Sequence, residues 1–307
     1  MDKPLISFCI PTNGVVEWVF PVLDSIYSQG VDEKLFEVVV TDNGDNEEFF
    51  RRMVAYRDDH TNIVYEKTKA LPFVNEIEAY KRAGGLFIKF LNHRTMLIPG
   101  ALQMFIDFVQ HNQRQKPVVY FANGVLDRPR EVIACNNFDN YVSTLSYFSS
   151  WSTGMGFWKE DFDSIPSDAV FNELFPHTTV LFHIRDRQQY IVDNRVLLEE
   201  LPTGTIPKGR YDLFYAFAVE YPGIIYDLLR SGSITMDTFL RVKDENLDFV
   251  VQLYWDFVIR KNPCSYNLSS FDSSICVFYC HNQVKRKIKR FIADRIRNKL
   301  HLGVKRV

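Results

Sequence analysis

Apolar and polar positions switch between two periods over the first 120 residues. Residues 5–10 (LISFCI) form a short apolar run of strand-forming types, stopped by Pro11-Thr12-Asn13-Gly14. Val19, Val22, Leu23, Ile26 and Tyr27 then recur at helical spacing, and Gln29-Gly30 closes that helix. Residues 36–41 (FEVVVT) predict a second strand, ended by Asp42-Asn43-Gly44, with a charged helix over about 47–57. A strand near 63–65, a helix over about 73–83, a strand at 86–91 (LFIKFL), a helix at about 100–112 and a strand at 118–122 follow. Strands this apolar, separated by helices, predict parallel βαβ units with both sheet faces covered. Ligands of such sheets bind beyond the carboxyl ends of the strands. Three polar strand-end clusters are therefore expected to converge: Pro11-Thr12-Asn13, Asp42-Asn43 and Asn92-His93-Arg94.

The alternation breaks down after about residue 123. Residues 151–158 (WSTGMGFW) read as a glycine-bearing aromatic turn and 190–192 as one more strand, and from about Tyr211 the pattern is mostly helical. The most apolar stretch, 213–229, is interrupted by Glu220, Pro222 and Asp227, so it reads as a buried helix pair rather than a membrane span.

Composition narrows the class. Of 307 residues, 46% are apolar and 24% charged, a globular balance that excludes wholesale disorder. The formal charge of −2 is unevenly spread: residues 285–307 carry ten Lys/Arg and one acid, Asp294, while the rest holds 26 basic and 37 acidic residues. An acidic body of this kind argues against nucleic-acid binding. In the tail, Val284, Ile288, Phe291, Ile292, Ile296 and Leu300 share one helical face, with Lys285, Arg286, Lys289, Arg290 and Arg297 around them. Such a helix is expected to lie on an anionic membrane surface, or else to pack on the protein's own body. The five cysteines are scattered, and no signal-like apolar region opens the sequence, so reduced cytosolic thiols are expected. Cys276, Cys280 and His281 lack the spacing of a zinc site and read as packed helix residues.

No G-x-G-x-x-G or P-loop follows any strand, which weakens dehydrogenase and ATPase readings. What stands there instead resembles family-2-type glycosyltransferases of the GT-A fold, which build bacterial surface polysaccharides such as capsule and O-antigen. Four segments carry the likeness: SFCIPTNG (7–14), PVLDSIYSQ (21–29), VVVTDNGD (38–45) and FIKFLNHRTMLIPGAL (87–102). It covers about the first 115 residues and thins out afterwards.

The resemblance implies that Pro11, Thr12 and Asn13 wrap the nucleotide and that Asp42 accepts a hydrogen bond from the base. Asn75 would face the sugar-nucleotide cleft. The plain reading of Asp42 is a turn residue in an Asp-Asn-Gly bend. The family's acidic, metal-holding motif falls on Asn92-His93-Arg94, which has no carboxylate. Magnesium and manganese want carboxylate oxygens, so this motif does not support a divalent ion. Arg94, helped by His93 or Asn92, is expected to meet the leaving diphosphate instead. The competing readings are an inactive relative, or a metal held by other residues.

An inverting transfer also needs a base beside the acceptor hydroxyl. The family's aspartate falls on the segment 175–182 (FPHTTVLF), which makes His177 one candidate; its plain reading is a helix-cap residue. Asp161, after Gly154 and Gly156, is the other, with a solvated turn as its plain reading. Trp151 and Trp158 are either an acceptor platform or core.

The expectation is an α/β chain: a GT-A-like, mostly parallel sheet flanked by helices, with a helical C-terminal region. It divides into a nucleotide-sugar half (1–115), an acceptor half (116–205), a helical region (206–283) and a basic amphipathic tail (284–307). It would move a monosaccharide from a nucleotide-sugar donor to a lipid-linked acceptor at the cytoplasmic membrane face, without a cofactor and with no nucleic-acid partner. The alternatives are a catalytically inactive nucleotide-binding or assembly protein, and a nucleotidyltransferase. The latter needs a glycine-rich basic loop that 11–14 does not provide.

Overall fold

The computed structural model describes residues 3–202 and 209–304, with side chains in the last helix as far as Arg295 and again at Arg297. The chain divides into two compact units, Met1–Pro202 and Thr203–Val307.

The first unit begins with β1 (Ile6–Thr12), α1 (Val16–Tyr27), β2 (Phe36–Asp42), α2 (Glu47–Asp59), β3 (Ile63–Lys67) and α3 (Asn75–Arg82). Next come β4 (Phe87–Phe90), β5 (Thr95–Leu97), α4 (Ala101–Asn112), β6 (Val118–Phe121), β7 (Val132–Cys135) and α5 (Phe138–Leu145). It closes with β8 (Met155–Trp158), α6 (Lys159–Asp163), α7 (Pro176–Leu181), β9 (Tyr190–Asp193) and β10 (Leu198–Glu200). Eight strands form one sheet in the order β3-β2-β1-β4-β8-β6-β9-β7, while β10 and β5 pair separately. The pairs β1–β2, β2–β3, β1–β4 and β6–β9 are parallel; β8 runs antiparallel between β4 and β6. The residues expected to form an acceptor half thus complete the same sheet as the nucleotide half.

Side-chain alternation builds the core. Phe8, Ile10, Val38 and Val40 point to one face, where they join Val19, Leu23, Leu102 and Phe105 from α1 and α4. The segment 151–158 is where the expectation fails. Its first half makes a tight turn at Ser152–Gly154, but Met155–Trp158 is a fully buried strand in mid-sheet. Gly156 is what lets it in: an added Cβ would lie 2.7 Å from the Phe121 ring and 2.9 Å from Phe87. Trp158 is core, 1% exposed with its indole N–H on the Pro117 carbonyl, so it offers no acceptor platform.

The second unit contains α8 (Leu213–Tyr215), a π turn (Ala216–Glu220), α9 (Tyr221–Arg230) and α10 (Met236–Leu253). A second π turn (Tyr254–Ile259), α11 (Phe271–Phe278) and α12 (His281–Val304) complete it. The segment expected to be a helix pair is thus one run interrupted by a π turn. Pro222, just after the π turn, has no N–H to return to the Phe217 carbonyl in the wider register. Asn246 of α10, fully buried, donates to the Phe217 carbonyl at 2.7 Å.

Part of the tail's apolar stripe is occupied within its own unit. Val284 is buried, Phe291 packs edge-on against Trp255, and Lys287 reaches Asp244 and Asp248 at 2.8 Å each. Lys285, Arg286, Lys289, Arg290, Arg295 and Arg297 remain exposed as a basic ridge. The side chains of Ile296 and Leu300 lie outside the described residues. Among the described residues no helix is long and apolar enough to cross a membrane, and no group of three His, Cys, Asp or Glu side chains could hold a metal ion. Cys276 and Cys280 are exposed rather than packed; the Cys276 thiol lies 3.1 Å from His281.

Candidate active site

The carboxyl ends of β1, β2 and β4 lie side by side, because Thr12 is in register with Asp42 and Cys9 with Phe90. The three predicted clusters do meet there. Thr12 is the junction: its hydroxyl accepts from the Gly14 N–H at 3.0 Å and lies 2.9 Å from His93 Nδ1. Burial, then the neighbouring Arg94 charge, push His93 down to about 4, which leaves the ring neutral at neutral pH. His93 can therefore contribute a hydrogen bond to a ligand at neutral pH, but no charge.

Asp42 lies beneath the loops rather than open to a base. It is fully buried, with Oδ1 accepting from the Gly44 N–H at 2.8 Å and Oδ2 from the Tyr65 hydroxyl at 3.0 Å and Lys67 Nζ at 2.9 Å. The two loops interlock above it: Asn43 N–H donates to the Thr12 carbonyl, and a Cβ on Gly44 would overlap the Asn13 carbonyl oxygen at 2.0 Å. Pro11 is partly exposed and Asn13 exposed.

Asn75 is a clamp. Its amide nitrogen donates to the carbonyls of Thr41 (2.9 Å) and Thr12 (3.3 Å), and its oxygen accepts from the Thr68 hydroxyl at 2.7 Å. It is 1% exposed and ties the ends of β1 and β2 to the start of α3.

Arg94 is not free. Its guanidinium donates to the Glu200 carboxylate at 2.8 Å and the Leu201 carbonyl at 3.2 Å, because β10 pairs with β5 directly beyond it. Asn92 takes the Arg94 N–H on its side-chain oxygen at 3.3 Å. Glu200 was not visible as a site residue in the sequence, since only strand pairing brings it here. The residues at Asn92-His93-Arg94 do not fit a hard divalent cation: they offer an amide, an imidazole and a guanidinium already neutralised by Glu200.

The two candidate bases part company. Because β8 runs antiparallel to β4, with Trp158 opposite Phe87, Asp161 lies past the amino end of β4. Six residue steps separate Leu86 from Asn92, roughly 20 Å. Asp161 is engaged there with Arg187 in an ion pair, and burial raises its carboxyl. It sits at the wrong edge of the sheet for chemistry at the strand ends. His177 is at the right edge but inside: it is 3% exposed, burial pushes it down to about 4, and its Nε2 lies 3.2 Å from the Ser149 carbonyl.

Ser149 belongs to the loop 146–154, which lies beyond the carboxyl end of β4 because β8 enters from that side. Four of its carbonyls are held from below. The Tyr120 hydroxyl lies 2.6 Å from the Phe148 carbonyl and 2.7 Å from the Trp151 carbonyl and shares its one hydrogen between them, Lys89 donates to Thr153 (2.7 Å), and His177 to Ser149. Tyr147, Phe148 and Trp151 cluster on the half-buried side of this loop, Tyr147 stacked on Phe148 at 4.3 Å and Trp151 edge-on to Phe148 at 5.0 Å. Lys89 is fully buried with no carboxylate partner, and burial lowers it to about 7. A lone lysine inside FIKF was the one signal in the sequence that could have marked it.

No protein-family model matches the chain, and no curated protein matches its sequence. Solved structures do share its fold. S. aureus TarS 1-349 superposes with a TM-score of 0.55 at 15% identity, over 84% of this chain and 75% of that one. The same fragment in complex with UDP-GlcNAc gives 0.57 at 14% identity, over 89% of this chain and 80% of that one. Against the longer S. aureus TarS the TM-score is 0.53 at 16% identity, and the match covers 82% of this chain but 44% of that one. At these identities the likeness establishes the fold: a large, mostly parallel sheet flanked by helices, with a helical C-terminal region.

Proposed function

We propose that this protein is a glycosyltransferase that moves a monosaccharide from a nucleoside diphosphate sugar to a glycan acceptor. One coincidence carries the reading. A chain of this fold has been solved with UDP-GlcNAc, and the strand-end cluster here occupies the carboxyl edge where sheets of this kind bind ligands. The four segments that resemble GT-A glycosyltransferases supply three of that edge's loops.

In this reading the loops at Pro11-Thr12-Asn13 and Asp42-Asn43-Gly44 receive the nucleotide. Arg94 exchanges Glu200 for the diphosphate, so that a guanidinium rather than an ion stabilises the leaving group. The neutral His93 and Asn92 add hydrogen bonds. The aromatic group Tyr147, Phe148 and Trp151 supports the view that the loop 146–154 receives the acceptor sugar. The exposed basic ridge of α12 supports an acceptor carried on an anionic lipid surface, as for capsule or O-antigen assembly. An inverting displacement is part of the proposal; neither Asp161 nor His177 is its base as they stand. The test is incubation of the purified protein with UDP-sugars and GDP-sugars while nucleoside diphosphate release is followed. Binding without release from any donor would favour the inactive, nucleotide-binding alternative.

A further inference from the structure

Glu76 and His177 face each other between α3 and α7, Oε1 3.9 Å from Nδ1, at 4% and 3% exposure. The Ser149 carbonyl can only accept, so His177 Nε2 carries the ring hydrogen and Nδ1 in the neutral ring is a bare lone pair. Glu76 Oε1 has no hydrogen-bond partner, although the His177 backbone N–H bonds the same carboxyl group. A carboxylate here would set two lone pairs against each other and leave a buried charge half-satisfied, which is strongly unfavourable. A carboxylic acid turned toward Nδ1 removes both problems. Burial favours the uncharged form of each group, raising Glu76 well above the carboxylate range and lowering His177 to about 4. The surrounding titratable groups are also held neutral by burial: the Tyr80 hydroxyl one turn along α3 and the Cys9 thiol of β1. Among the described residues no charged side chain shifts Glu76.

We propose that Glu76 and His177 form an uncharged acid–imidazole pair that locks the first turn of α3 to α7 and, through Ser149, fixes the loop 146–154 as a wall of the strand-end site. Both are positioning residues. The pair continues the clamp made by its neighbour Asn75, so one chain of contacts runs from the Thr12 and Thr41 carbonyls to the loop. It rests on the proposed function only in what the wall serves.

The test compares wild type with Glu76→Gln, Glu76→Ala and His177→Ala. Three readouts are used at neutral pH: thermal unfolding, infrared absorption in the protonated-carboxyl region, and UDP-GlcNAc affinity. Glutamine has an N–H to place on Nδ1, so Glu76→Gln should keep the wild-type melting temperature and affinity while losing one protonated-carboxyl band. Each alanine variant should melt lower and bind about fivefold more weakly, as for one buried hydrogen bond lost. Glu76→Gln as damaging as Glu76→Ala, or no band lost in Glu76→Gln, overturns the pair. If the alanine variants do not fold, Glu76→Gln and the infrared spectrum still decide. Wild type that binds no UDP-GlcNAc counts against the proposed function instead, and leaves melting and infrared to judge the pair.

Discussion

The Arg94 guanidinium lies 2.8 Å from the Glu200 carboxylate, on a strand that reaches it only through the antiparallel β5–β10 pair. Glu200 occupies the place an anionic ligand of Arg94 would take. It is 53% exposed on its side chain, so solvent screens the pair and the exchange is not costly.

If Arg94 receives the diphosphate, removing its internal competitor strengthens binding. Glu200→Gln should bind UDP about threefold more tightly than wild type, and Arg94→Ala at least about tenfold more weakly. Isothermal titration with UDP reads both. Equal affinity in all three proteins would take Arg94 out of the site.

The donor set at Asn92-His93-Arg94 gives a second expectation. Nucleoside diphosphate release from the preferred donor should be the same in excess chelator as in manganese. Release that stops with chelator and returns with manganese would assign the leaving-group charge to an ion.

Asn246 donates from its side-chain amide to the Phe217 carbonyl at 2.7 Å. It is fully buried and also bonds the Tyr279 hydroxyl at 2.8 Å. Asn246→Ala should lower stability by ~1–3 kcal/mol. Asn246→Asp should do no better, because a carboxylate has no N–H. Urea unfolding of the whole chain measures both; a neutral effect would mean that water replaces the amide.

Lys89 predicts a pH dependence whose sign is fixed. Burial lowers it from 10.5 to about 7, so across that interval the unfolded chain holds a proton that the folded chain does not. Stability from this group therefore rises with pH through the window, by at most ~1.4 kcal/mol per pH unit, and levels off below it. Lys89→Met should remove that slope, whatever it does to absolute stability. Parallel unfolding curves for the two proteins over the same window would show that Lys89 titrates as an ordinary lysine.

How much of this was legible along the chain depends on where the information lies. Residues 5–10, 36–41 and 86–91 announced their strands because each is mostly apolar on both alternating faces, as burial on both faces demands. The polar residues after them met at one edge because parallel strands end on the same side. Met155–Trp158 was missed because four residues containing a glycine look like a turn; a strand that short is defined by the neighbours that accept it. Asp161 was misplaced for the same reason, since the direction of β8 decides which edge its next residues reach. The α12 stripe announced an amphipathic helix correctly, but periodicity does not say what covers it, and Val284 and Phe291 pack within their own unit.

The sequence by itself determined the alternating layers, the strand-end clusters at Thr12, Asp42 and Asn92-His93-Arg94, and the lack of carboxylates where the resembling family holds its ion. These are local matters of period, turn chemistry and residue type. Only the tertiary structure decided that Arg94 meets Glu200, that Asp42 is buried under its own loops, and that His177 faces Glu76 instead of the cleft. Burial and pairing set what those groups can do, and both depend on segments far apart in the chain being brought together.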